Sequence, residues 1–117
     1  MSKINLKARL VSDDEKLDIE VIGIKSKNKI VYKENDITVT ILLLNNKIKM
    51  NRVCSEYKIN LIFEKDKSTI STYNVFDISK KFDLETKTQK LIITDDRIEI
   101  NYELEQNKFY YLLELGG

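Results

Sequence analysis

The chain contains no histidine, no proline and no tryptophan, and only one cysteine. Without histidine there is no imidazole general base, no His-based triad and none of the usual zinc sites. One cysteine forbids an intrachain disulfide and any CxxC redox pair. With proline absent nothing marks a linker, and no internal repeat or low-complexity run divides the 117 residues, so one domain spanning 1–117 is expected. Charge of one sign is also missing. The 20 Lys+Arg and 19 Asp+Glu leave a net charge of +1, which argues against a nucleic-acid partner, because neutralising phosphates needs a basic excess. Long apolar runs are missing too. The longest uncharged stretch, Ile37 to Asn46, has ten residues, against roughly 20 for a membrane-spanning helix. Lys3, Lys7 and Arg9 interrupt the N-terminal segment, so it has no apolar core of signal-peptide length. A soluble cytoplasmic protein with no membrane partner is the expectation, and a lone cysteine agrees with a reducing compartment.

What is present is alternation. Apolar residues make up 42% of the chain, too many for a disordered one. Ile4, Leu6, Ala8 and Leu10 share one parity, as do Leu17, Ile19 and Val21, and polar residues fall between them. Successive strand side chains face opposite ways, so each run reads as a strand with one buried face. Gly23 interrupts the second run, and Ile22 and Ile24 take the other parity, which predicts a bulge there. Further strands follow at Lys29 to Glu34, Ile37 to Leu44, Lys47 to Arg52, Tyr57 to Phe63 and Ser68 to Val75. The last ones start at Phe82, Ile98 and Phe109, with a second bulge predicted near Gln89. Turns fall at Asn35-Asp36, Asn45-Asn46, Asp95-Asp96 and Gln106-Asn107, and Asn74 to Lys81 reads as the longest loop. No helical segment is convincing. Eight to ten short strands joined by hairpins predict an all-β meander that closes on itself into a single antiparallel barrel.

From Ile37 onward the chain resembles the YwiB-like family of small bacterial β-barrel proteins. The resemblance is carried by Thr40 to Arg52, by Leu61-Ile62-Phe63-Glu64-Lys65-Asp66, by Tyr73, by Leu84-Glu85-Thr86-Lys87 and by Ile98 to Glu105. The family's Gly shortly after the Tyr is absent from Tyr73-Asn74-Val75-Phe76-Asp77. The resemblance implies a calycin-like (lipocalin-like) barrel and brings with it no catalytic residue, cofactor or metal.

Among the residues themselves Arg52 is the most informative, because it shares parity with Ile48 and Met50. A guanidinium facing inward needs a carboxylate or several carbonyls to offset desolvation. It is either an anion-binding group at the barrel mouth, or a structural partner of Glu34 or Glu56, or a solvated residue past the strand's end. Tyr32, Tyr57, Tyr73, Tyr102 and Tyr111 fall mostly on the inward parity, as the lining of a ligand pocket or as ordinary core. Thr86 and Thr88 either form a polar patch inside or are β-branched strand formers. Asp13-Asp14-Glu15 and Asp95-Asp96 lack the spacing of a calcium loop and read as solvated turns. Cys54 has no His partner and reads as a bystander thiol. Leu115-Gly116-Gly117 has the terminal Gly-Gly of ubiquitin-like modifiers, but those folds need a helix this chain lacks.

Two functions are compatible with these residues. The first is a non-enzymatic protein that binds a small apolar or amphipathic ligand in its barrel, lined by Arg52, Tyr32, Tyr57, Tyr73 and Tyr102. The second is an interaction protein with a filled barrel that uses its outer face on a partner or on a second copy. Leu42, Leu44, Ile62, Tyr110 and Leu112 lie on the outward parity. That predicts a cover over them: the N-terminal strand, the Asn74 to Lys81 loop or, in preference, a homodimer.

Overall fold

The computed structural model describes residues 2–116. The alternating segments form ten strands: β1 (Ser2–Ser12), β2 (Lys16–Ser26), β3 (Lys29–Glu34), β4 (Ile37–Leu44), β5 (Lys47–Val53), β6 (Tyr57–Glu64), β7 (Ser68–Val75), β8 (Lys80–Ile93), β9 (Arg97–Leu104) and β10 (Asn107–Gly116). Each pairs antiparallel with its neighbours in sequence, and β10 returns to pair with β1 from Asn5↔Gly116 to Ser12↔Phe109. The sheet therefore closes into a barrel, as the alternation predicts. Among the described residues there is no helix, and so none long and apolar enough to cross a membrane. Gly117 lies outside the described residues, so the terminal Gly-Gly has no structural account.

The inward parity fills the barrel. Ile30, Ile41, Ile48, Phe63, Ile98, Ile100 and Leu113 are buried together, with Leu6, Ala8, Val39 and Met50 beside them. Asn35 and Asn46 take positive φ in their hairpin turns, a conformation asparagine tolerates. The last hairpin turns at Glu105-Gln106, one residue before the expected Gln106-Asn107. Asn107 already opens β10 opposite Leu104, and its side-chain amide donates to the Leu104 and Glu105 carbonyls at 3.4 and 3.5 Å.

The second expected bulge is present, as a register shift between Thr88 and Lys90. The first is not. β1 and β2 pair without interruption from Ser2↔Lys25 to Val11↔Lys16. Gly23 stays on the inward parity, and Ile22 and Ile24 point outward and are exposed. Glycine is there because neighbours crowd it: a Cβ would lie 2.5 Å from Leu6 Cδ1 and 2.7 Å from the Val31 carbonyl oxygen. The expected Asn74 to Lys81 loop is also corrected. β7 runs to Val75 and β8 starts at Lys80, leaving a short turn with Ser79 at positive φ.

Among the described residues no segment lies over the outward apolar residues as a lid. β1 is a member of the sheet and the β7–β8 turn ends a hairpin, so neither covers them. Leu42, Ile62, Tyr110 and Leu112 are half-buried among outer-face neighbours, and Leu44 is exposed.

Two of the strand interfaces are thin. β6 and β7 share four rungs and then part. Hydroxyls stitch that gap: the Ile62 N–H donates to Ser71 Oγ at 3.0 Å, and Thr69 Oγ1 donates to the Ile62 carbonyl at 2.5 Å. β2 and β3 share three rungs, Ile24↔Val31 to Ser26↔Lys29, and no such stitching spans their separation among the described residues.

Candidate functional site

In an antiparallel meander alternate turns gather at one end of the barrel. Here the β1–β2, β3–β4, β5–β6, β7–β8 and β9–β10 turns share that end, where a cavity of about 430 Å³ opens. Its walls are mainly apolar, with Leu10, Leu17, Ile37, Ile59, Leu61, Leu104 and Phe109 among them. Below it the buried core residues fill the barrel.

The charged group at its base follows from register. Arg52 lies opposite Val39 on β4 and Ile59 on β6, and Glu34 lies opposite Ile37. These pairs put both side chains on the inner face, and Arg52 Nη2 donates to Glu34 Oε2. The side chains are 12% and 7% exposed, so this pair is nearly desolvated. Burial opposes the guanidinium charge, and the attraction and hydrogen bond of Glu34 more than restore it, so Arg52 is held above the ordinary arginine value. Of the two acids the sequence offers, Glu34 is the partner. The other guanidinium N–H groups find no acceptor among the described residues, and Arg52 lines the cavity.

The tyrosines divide. Tyr57, Tyr102 and Tyr111 line the cavity with Arg52. Tyr32 sits beneath it, fully inside the core, its hydroxyl 2.8 Å from that of Tyr111. Tyr73 is outside the lining, on the β7–β8 hairpin, with its ring edge-on to Tyr57 at 5.7 Å. Burial pushes the Tyr32 hydroxyl up to about 12, against the opposing pull of Tyr111 and Arg52. Burial also raises Tyr102 and Tyr111 above the usual tyrosine range, with Arg52 pulling both the other way. Phe109 stacks on Tyr102 at 5.2 Å and forms part of the wall.

The sequence reading missed Glu34, Leu10, Leu17 and Phe109 as lining residues, although their inward parity was visible. Which inward residues face a cavity and which face one another depends on strand separation. Thr86 and Thr88 are buried, Thr86 with its hydroxyl 2.7 Å from that of Ser71 and Thr88 with no partner among the described residues. The Asp13-Asp14-Glu15 and Asp95-Asp96 clusters lie between strands. No group of three or more His, Cys, Asp or Glu is placed to hold a metal among the described residues.

A family model described as a domain of unknown function, DUF1934, matches residues 4–112. The match includes the N-terminal segment that the resemblance from Ile37 onward left out. The crystal structure of the ywiB protein from Bacillus subtilis matches with a TM-score of 0.72 at 18% identity, covering 98% of this chain and 89% of that one. At that identity the likeness shows the fold. No curated protein matches.

Proposed function

The chain belongs to the DUF1934 family, and from that premise we propose that it is a non-enzymatic binding protein whose barrel mouth takes one small amphipathic molecule. The observation that carries this reading is the cavity of about 430 Å³ at the mouth of an otherwise filled barrel. Its volume falls in the range of roughly 300–1,000 Å³ typical of small-molecule clefts, which pair apolar walls with a few convergent polar groups. Leu10, Leu17, Ile37 and Phe109 offer the apolar wall, and the unspent donors of Arg52, with Tyr57 and Tyr102, offer the polar contacts. Glu34 neutralises Arg52, so the ligand's polar end accepts hydrogen bonds and does not have to supply a full counter-charge.

Native mass spectrometry of the protein purified from its own host tests this. A noncovalent small-molecule adduct that is lost when Leu17→Trp fills the mouth is the expected result. A bare polypeptide mass, together with no binding of the amphipathic probe anilinonaphthalene sulfonate, would overturn it. That outcome would favour the second reading, an interaction protein working through its outer face, which is supported by the exposed Leu44, Ile70, Phe76, Ile78 and Phe82.

A further inference from the structure

β2 has a free edge, and the hydrogen-bond phase shows which backbone groups lie on it. The Ser12 N–H donates to the Glu15 carbonyl at 2.9 Å, which makes Ser12 and Glu15 a hydrogen-bonded pair. Antiparallel pairs alternate between bonded and non-bonded. With the uninterrupted β1–β2 register, odd-numbered residues of β2 therefore bond to β1 and even-numbered ones point toward β3. The Leu43 N–H donates to the Asn28 carbonyl at 2.8 Å, which by the same rule turns even-numbered β3 residues toward β4 and odd-numbered ones toward β2. The β2–β3 ladder stops at Ile24↔Val31. Beyond it no ladder rung uses the N–H and C=O groups of Asp18, Glu20 and Ile22, or of Lys33 across the slit, and no turn or loop backbone group bonds to them among the described residues.

Side-chain burial records the same opening. On the inner face Leu6 and Ala8 of β1 are buried, whereas Val21 and Ile19, directly opposite them on β2, are only half-buried. Ile22, next to the last rung, is 68% exposed. The other thin interface, β6–β7, is stitched by the hydroxyls of Ser71 and Thr69, but this one carries no substitute for its missing rungs.

We propose that this edge of β2, Lys16 to Ile22, receives an extended basic peptide of a partner protein as an added strand. Strand addition takes its affinity from main-chain hydrogen bonds and its specificity from alternate side chains. The added strand would meet the free groups of Asp18, Glu20 and Ile22, turn apolar residues inward over Ile19 and Val21, and set its outward residues beside Asp18 and Glu20. Those two acids also decide against a second copy. Registers that overlap the edge well on its own copy set Asp18 or Glu20 opposite another acid, and like charges directly opposite are destabilising. Their present partners, Arg9 and Lys16 for Asp18 and Lys7 for Glu20, are exposed, and such surface pairs leave the acids available to a basic strand.

Amide hydrogen exchange by NMR on the full chain tests this, with the peptide Val-Lys-Val-Lys-Val-Lys-Val as probe. In the free protein the Asp18, Glu20 and Ile22 amides should exchange much faster than those of Leu17, Ile19 and Val21. Saturating peptide should slow the three by about tenfold or more. The same peptide with glutamates for lysines should bind more weakly. Glu20→Pro removes the slit-facing donor and one of the two acids but no β1 rung, so this variant should fold like the parent and lose the response, whereas Glu20→Gln, which keeps the donor, should only weaken it and Ile19→Pro removes a β1 rung and should destabilise. Four results would overturn the proposal. The three amides could already be as slow as their neighbours, peptide could slow none of them, Glu20→Pro could unfold the protein, or protection could rise with protein concentration alone, which would identify a second copy as the occupant.

Discussion

At the scale of single residues, the Arg52–Glu34 pair is the most consequential contact. Its attraction is set against the desolvation of two nearly buried charges, so removing one partner leaves the other stranded. Arg52→Met should destabilise the protein by roughly 3–5 kcal/mol in urea unfolding, and adding Glu34→Met should recover most of that loss. A single variant within about 0.5 kcal/mol of the parent would show that Glu34 is hydrated through the mouth. The tyrosine pair below behaves in the opposite sense to a depressed carboxylate. Burial raises Tyr32 to about 12 and lifts Tyr111 well above the ordinary tyrosine value, so the folded state holds these protons more tightly than the unfolded chain does. Their stabilisation is complete below pH about 10 and is lost as pH climbs through about 12. Tyrosinate absorbance in an alkaline titration should therefore lag behind that of the urea-unfolded chain, and unfolding should set in across that window.

At the scale of elements, the separation of β6 from β7 shows how the sheet bends without leaving orphaned backbone. Ser71 Oγ takes the Ile62 N–H and sits 2.7 Å from Thr86 Oγ1 in the interior. Ser71→Ala leaves that N–H and the Thr86 hydroxyl without this partner, an expected loss of about 1–3 kcal/mol. Faster exchange at the Ile62 amide than at Leu61 would locate the damage, and unchanged exchange would show that the hydroxyl is dispensable. The Ser- and Thr-rich composition of β7 marks it as a polar strand in the sequence, but nothing there says that its hydroxyls replace ladder bonds. Gly23 is similar. Its interruption of the pattern is plain, yet the cause is the approach of Leu6 and Val31, both distant in sequence or across a turn.

At the scale of the whole molecule, closure joins β1 to β10, strands at opposite ends of the chain. Hairpins form locally, but the β1–β10 ladder needs the full loop to close before it gains anything, and barrels dominated by non-local pairing fold slowly. Stopped-flow refolding should proceed in milliseconds to seconds, as for other all-β domains of high contact order. Leu113→Ala, in the closing strand and fully buried, should lose about 2–5 kcal/mol of stability. If closure comes after the rate-limiting step, the loss should appear in faster unfolding, with refolding little changed.

Period-two alternation is a local property of the chain, and it was enough to determine the strand class, the inward face of nearly every element, the bulge near Gln89 and the parity that Arg52 shares with Ile48 and Met50. A barrel could be inferred because a sheet of that many short strands must dispose of its edges. Tertiary structure decided which acid meets Arg52, since Glu34 reaches it across β4 while Glu56 lies in the turn after β5. It also decided that Tyr57, Tyr102 and Tyr111 line the mouth while Tyr32 lies beneath it with its hydroxyl on that of Tyr111, and that Gly23 marks a close approach and not a bulge. Finally, it opened the slit beside β2 and stitched the one beside β7. These outcomes depend on strand separation and side-chain reach, which are set by packing between residues far apart in sequence and leave no periodic trace within any one segment.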